Sequence, residues 1–528
     1  MDQNGSSQRP AVIYKAQVTT GQGLLTGTLD LISVTLVGPN GESPKRFLDQ
    51  IGMTCSQGSI MVAFPKRHLE FSRFCLEDLS LLIQGASSVL TFRLSRFRDP
   101  GAFRSELEKL LGYRNVTIVS QVEENKSHKP SDDTHGLQRR HRQEELQLQQ
   151  RTYGWKEYLP NIPWCANIDT TATMEHNITY SFPKLSQHPG PQSPIFLPTD
   201  EEWLWTLAKT WVRNAEFHTH EDIAHLLRGH LMSEIFSVAT LRTLPMCHPL
   251  YKLLIPHLRY SIHINVLART YLISQGGTFD KAIGTGRQGL AVLLEKALAE
   301  LTYTQLCLPD DIEARGVGCL LQYYYRDDGL KIWDAIQSFV SGIVGLYYKS
   351  DSEVQGDDEL QSWVAEIFAK GFLSRETSGV PSALHTVPDL IKYLTMTVFT
   401  CSAHHAAVNG GQFEMGAFMP NLPSSMRKPP PQAKTPVTLQ EFLDTIPEMN
   451  VTSQVLSVLW VLRNETLDMK PLGYYEEEHF VEEGPKRLIG AFQEHLKHIT
   501  LAIESRNKTL PLPYTYLYPP EIENSTTI

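Results

Sequence analysis

Two histidine-bearing stretches and the final residue hold the side chains best suited to chemistry. In FHTHEDIAHLLRGH, His220 and His225 stand five apart. An ordinary α-helix would set them roughly 140° from one another, too far round to share an ion. A local π-bulge, with i to i+5 bonding, would swing both to one side, and such bulges concentrate at functional sites. In TCSAHHAAVNGGQ, His405 and Asn409 are four apart and share a helix face. Asn brings a neutral carbonyl oxygen, a weaker donor than imidazole. The sequence ends at Ile528, whose terminal carboxylate would be a hard oxygen donor, and neutral imidazoles suit iron. A zinc-protease H-E-x-x-H needs four-residue spacing, which His220-Glu221 with His225 misses by one. His218, His230 and His404 are expected to pack or to support the ligands, and His248, His257 and His263 fall outside the pattern.

These stretches and the text around them resemble the animal lipoxygenases. WVRNAEFHTHEDIAHLLRGHLMSE, LPMCHPLYKLLIPHLRY, YYYRDDGLKIW, NLPSSMRKPPP and IENSTTI carry the resemblance over roughly the last 340 residues. The local text is most similar to the arachidonate 15-lipoxygenase type B and epidermal group. The resemblance implies one non-haem iron (Fe2+/Fe3+) held by His220, His225, His405, Asn409 and the Ile528 carboxylate, with one octahedral position left to water or hydroxide. No catalytic group beyond the iron-bound hydroxide is implied. That ferric hydroxide would take a hydrogen atom from the methylene between two cis double bonds of a polyunsaturated fatty acid such as arachidonate, or its ester. O2 would then add to the pentadienyl radical, and the resulting peroxyl radical would take back the electron and a proton to give a hydroperoxide. Some members of this group isomerise hydroperoxides to epoxyalcohols with the same ligands, which the ligand pattern does not separate from dioxygenation.

Substrate control is implied at four further positions. Ala268 matches the residue that accompanies S stereochemistry, and Leu272 and Leu226 match bulky side chains flanking the reacting carbon. Leu267 stands where several relatives carry Arg or Lys near a substrate carboxylate. Burying that charge unpaired is costly, so methyl-end-first entry or an esterified substrate is expected. Arg269 reads as a structural ion-pairing residue.

The elements that must position these residues point to an α+β multidomain chain. Its 528 residues, 41% apolar, suffice for more than one domain. Forty-eight basic against 58 acidic residues, a formal charge of -10, argue against a general nucleic-acid binder. Seven scattered cysteines without C-x-x-C suggest a reducing compartment. No basic start leads into an apolar stretch, and no run of about 18 apolar residues occurs. A cytoplasmic protein is expected, the family resemblance implies a monomer peripherally associated with membrane, and the sequons at Asn115, Asn177 and Asn450 read as chance matches.

Period-two alternation at Tyr14, Ala16 and Val18 and at Ile32, Val34 and Leu36 predicts strands, continued by GSIMVAF and SVLTFRL. YKAQVTTGQGLLTGTLDLISVTLVGPNGES resembles the PLAT domain, so residues 1–122 are expected to form a PLAT-like β-sandwich with an irregular second half. No loop there has a spacing specific for Ca2+, which stays an open cofactor. Residues 123–152 read as a linker with a solvated helix, LQRRHRQEELQLQQR, and residues 153–528 as a helical catalytic domain. At Lys184/Leu185 two stretches abut that a long segment separates in relatives, which indicates an internal deletion. That shortening motivates a second class of function, a non-catalytic lipid-binding or regulatory isoform. Helical periods recur around Trp205, Ala208 and Trp211, over 360–373 and over 483–507, before a proline-rich extended tail. Gly284, Gly286 and Gly289 form a G-x-G-x-x-G without a strand ahead of it, so a loop is expected there.

Overall fold

The computed structural model describes residues 126–133, 139–157, 161–163, 165–166, 194–463, 469–475 and 480–528, together with short strands between 33 and 91. The chain divides into two compact units, Met1–Glu124 and Asn125–Ile528. In the first, β1 (Ser33–Val34) lies antiparallel between β4 (Arg46–Phe47) and β5 (Leu82–Gln84), and β5 pairs with β6 (Val89–Thr91). A separate hairpin joins β2 (Val37–Gly38) to β3 (Gly41–Glu42). The strand expected over 58–64, most of the PLAT-like sandwich and the Lys184/Leu185 joint lie outside the described residues.

The second unit is helical. Its first described α-helix, Arg139–Thr152, covers the segment expected as a solvated linker helix, and it is exposed or half-buried at its described positions except Arg142. Arg142 is buried and forms a two-pronged pair with Glu359, while also donating to the His128 carbonyl at 2.9 Å. A guanidinium held this way anchors the helix to the unit it enters.

A continuous helical run begins at Glu202–His218, where the Glu201 carboxylate caps the Leu204 N–H, and continues through Thr219–Leu231 to Met232–Thr243. The last segment buries every residue except Arg242, as expected of a helix enclosed on all sides. A second run starts with Thr386 capping Asp389 and comprises Val387–Phe399, Thr400–His404 and His405–Asn409. Gly410 and Gly411 follow its end.

Two long helices, Tyr324–Tyr347 and Glu483–Asn507, brace these runs. Ile332, Ile336, Phe339, Val340 and Ile343 recur at helical spacing on the buried side of the first. Phe339 stacks on Phe492 with ring centroids 4.8 Å apart. A methyl group at Gly342 would come within 2.7 Å of the Leu488 side chain, so the absent side chain allows this approach. The predicted helices over 360–373 and 483–507 occur as Asp358–Glu366 with Ile367–Gly371 and as Glu483–Asn507. At the glycine motif, Gly286 takes φ +59° and opens the helix Gly286–Glu300. Among the described residues, no helix is long and apolar enough to cross a membrane.

Candidate metal centre

Both histidine-bearing runs leave α geometry beside their histidines. The first is π-helical over Thr219–Leu231 and the second over Thr400–His404. The i to i+5 bonding predicted from the five-residue spacing is present, yet the pair it brings together is His225 and His230. Their Nε2 atoms lie 3.1 Å apart, and His405 Nε2 lies 3.2 Å from His230 Nε2. All three rings are buried, and their ligating atoms lie within 4.8 Å of one another.

His220, expected as a ligand, stands outside this cluster. Its ring stacks against His225 at 6.3 Å between centroids, its side chain is 28% exposed, and its Nδ1 lies 3.2 Å from Glu221 Oε1. His220, His225 and His230 form an evenly spaced series, so spacing alone cannot choose a pair. One sequence signal pointed inward: beyond His230 the chain runs into LMSEIFSVATL, text fit for a core helix. The supporting role expected for His230 is therefore corrected.

The neighbours of the rings determine where the lone pairs point. Asn265 Nδ2 donates to Glu234 Oε2 at 2.7 Å and to the His230 carbonyl at 2.9 Å, which leaves Oδ1 facing His230 Nδ1 at 2.9 Å. Glu234 is itself held by Arg269 through two bonds of 2.8 and 2.9 Å, the ion-pairing role expected of Arg269. His230 thus carries its proton on Nδ1 and presents a bare Nε2. His225 Nδ1 meets Glu221 Oε2 at 3.2 Å. Burial raises the Glu221 carboxyl, but hydrogen bonds from His220 and His225 outweigh it and hold the group down at about 2. An ionised acceptor fixes the proton on His225 Nδ1 as well. Two lone pairs then face each other at 3.1 Å, an arrangement that repels unless a cation lies between them. Imidazoles bound at about 2.1 Å and at right angles around a first-row ion would stand about 3 Å apart, close to the spacing seen.

Electrostatics agree with this donor set. Burial, then the neighbouring His225, lowers His230 to about 3, and burial followed by His230 and His225 takes His405 well below its usual value. Neutral imidazole is the form that binds metal. Asn409, one turn beyond His405, is buried; its Nδ2 donates to the Leu462 carbonyl at 3.1 Å and its Oδ1 accepts from Gln412 at 2.7 Å. A second lone pair on Oδ1 remains. Ile528 reaches the same region, its main chain hydrogen-bonded to His405. Thr526, two residues before the end, bonds Ser233 Oγ at 2.9 Å and the Cys401 carbonyl at 3.1 Å, tying the tail to both histidine-bearing runs.

Other histidines follow the bland expectation. His218 faces Asp222 at 3.5 Å, and His404 donates to the Ala224 carbonyl at 3.0 Å. The other convergent donor group among the described residues, His248, Asp357 and Glu359, already has a cation in Arg142.

Beside the centre lies an apolar cavity. Leu226 and Ala268 line it, together with Leu231, Asn265 and residues of the helix Gly286–Glu300. Leu267 and Leu272 are half-buried and are not among its lining residues, so their expected contact with substrate is not seen in this cavity. Leu267 follows Asn265 by only two positions in its helix and therefore faces elsewhere.

Comparison with known proteins gives the family of the chain. The human hydroperoxide isomerase ALOXE3 is 57% identical over 345 residues, 65% of this chain and 48% of that protein. The human polyunsaturated fatty acid lipoxygenase ALOX15B is 56% identical over 345 residues, 65% of this chain and 51% of its own length. The chain therefore spans about half the length of the curated relatives it matches. The crystal structure of coral 8R-lipoxygenase superposes with a TM-score of 0.73 at 22% identity, covering 98% of this chain and 100% of that one, a likeness of fold. The lipoxygenase family model matches residues 170–513, and on that extent of agreement the chain belongs to the lipoxygenase family.

Proposed function

We propose that this chain binds one non-haem iron through His225, His230 and His405, with Asn409 and the Ile528 carboxylate completing the set, and oxygenates polyunsaturated fatty acids to S-hydroperoxides. The observation that carries this reading is the pair of Nε2 lone pairs turned toward each other beside an apolar cavity. Bound there, iron would supply one-electron chemistry, needed because triplet O2 and a singlet lipid combine slowly.

The chain's own residues do the remaining work. Glu221 and the Arg269–Glu234–Asn265 relay orient two rings and raise their basicity. Leu226, Leu231, Leu290 and Leu294 exclude water and hold the lipid chain. Ala268 lies on the cavity wall, where its methyl fills the space a glycine would leave open, in keeping with the S assignment.

A second reading, isomerisation of a lipid hydroperoxide to an epoxyalcohol, is supported by the near-equal similarity to ALOXE3. Purified chain should be assayed for iron by elemental analysis, and for conjugated-diene formation from arachidonate against consumption of its hydroperoxide. Diene formation by iron-loaded protein supports the first reading, and hydroperoxide consumption alone supports the second. Folded, iron-loaded protein inert to both substrates overturns both and favours a lipid-binding isoform.

A further inference from the structure

Two arginines reach the cavity, and their charges are differently committed. Arg269 is buried and locked to Glu234 by two short bonds. Arg287 lines the cavity with a side chain only 15% exposed, and its ion-pair partner among the described residues, Asp280, is 3.6 Å away and 34% exposed. That distance exceeds hydrogen-bonding range, and pairs with a solvated partner contribute little. Asp280 therefore leaves the guanidinium's bidentate fork open.

Arg287 also sits at the end of a stripe. Arg287, Leu290, Ala291 and Leu294 follow the i, i+3, i+4, i+7 pattern on one helix face, and all four line the cavity. At 1.5 Å per residue the stripe is about 10 Å long, with the cation at the helix's positive N-terminal end. Leu226 and Leu231, the sequence neighbours of His225 and His230, line the same space.

An apolar trough closed by one half-buried guanidinium complements a long-chain carboxylic acid. We infer that Arg287 is the positioning residue that receives the carboxylate of a free fatty acid. It thereby supplies from a different helix the cation that Leu267 lacks. This replaces the entry mode expected from Leu267 alone, since Leu267 does not line the cavity. The inference rests on the lipid reading above.

The test uses the full chain and a fluorescent conjugated tetraenoic acid with its methyl ester, titrated with and without bound iron. Wild type is expected to bind the acid at least tenfold more tightly than the ester. Arg287→Gln should weaken acid binding about tenfold and leave the ester within twofold, while Arg287→Lys restores most of the loss. Asp280→Asn, which removes the competing carboxylate, should tighten acid binding two- to threefold. In turnover, Arg287→Gln should raise KM for the free acid and leave kcat nearly unchanged. An acid-to-ester ratio indifferent to Arg287, or equal weakening of both probes, overturns the inference. If Arg287→Gln fails to fold, an acid-to-ester affinity ratio left unchanged by Arg287→Met overturns it instead. Arg287-dependent binding by a chain that holds no iron sinks the proposed reaction and leaves this inference standing. Iron-dependent turnover indifferent to Arg287 does the reverse.

Discussion

At the residue scale, the tautomer of two histidines decides what the centre can hold. Because Asn265 and Glu221 keep the protons on Nδ1, His230 is as much a donor as His225. His230→Ala is therefore expected to lower bound iron from near one per chain to below a tenth, whereas His220→Ala should retain more than half, both by elemental analysis. The opposite ranking would restore the pair expected from spacing. The relay behind His230 should also be measurable: Asn265→Ala should weaken iron affinity about 10- to 100-fold in a chelator competition. An unchanged affinity would mean that the ring keeps its orientation by packing alone.

At the scale of elements, the C-terminal tail acts as a clasp between the two histidine-bearing runs. Thr526→Val removes the bonds to Ser233 and to the Cys401 carbonyl and leaves buried polar atoms unpaired. The expected cost is about 1–3 kcal/mol in urea unfolding, with a parallel loss of iron. His257 ties the same tail, its Nδ1 facing the Asn524 carbonyl at 3.0 Å and its Nε2 the Tyr475 hydroxyl at 3.1 Å. Burial lowers it to about 4 from an ordinary 6.5. With the folded value below the unfolded one, the unfolded chain takes up the proton first. Stability is therefore whole above pH 6.5 and falls as pH drops from 6.5 to 4, by about 1.4 kcal/mol per pH unit from this group. His257→Gln should flatten the melting temperature against pH within that window, and an equally steep profile would exclude the assignment.

For the whole molecule, the centre joins positions 225 and 230 to 405 and to the terminus at 528. An ion bound there holds distant stretches together, so it should stabilise the entire helical unit. At an iron activity a hundredfold above Kd the gain is about 2.7 kcal/mol. Removing iron with a chelator should lower the melting temperature of wild type and leave that of His230→Ala unmoved. Equal responses in the two proteins would show that the ion binds elsewhere.

Much of this was legible in the residues. The helical runs around Trp205, over 360–373 and over 483–507 follow from apolar period alone, because one buried stripe suffices to define them. The five-residue histidine spacing already demanded a helix wider than α. Arg269 was recognisable as an ion-pairing residue, although its partner Glu234 lies 35 positions away. The docking of the helix Arg139–Thr152 was not legible, since its text is almost wholly polar and its anchors are polar bonds to distant positions, among them the pair to Glu359, 217 positions on, and the bond from Met246 N–H to Glu145.

By itself the sequence determined the family, the helical text of the second unit, the need for π geometry and the set of donors from which a metal site is drawn. Tertiary structure alone decided which two of three equally spaced histidines meet His405, that Leu267 faces away from the cavity, and that Arg287 faces into it. Spacing sets an angle around one helix axis, whereas the level at which another helix crosses, and so which side chains share a space, depends on packing between segments far apart in the chain.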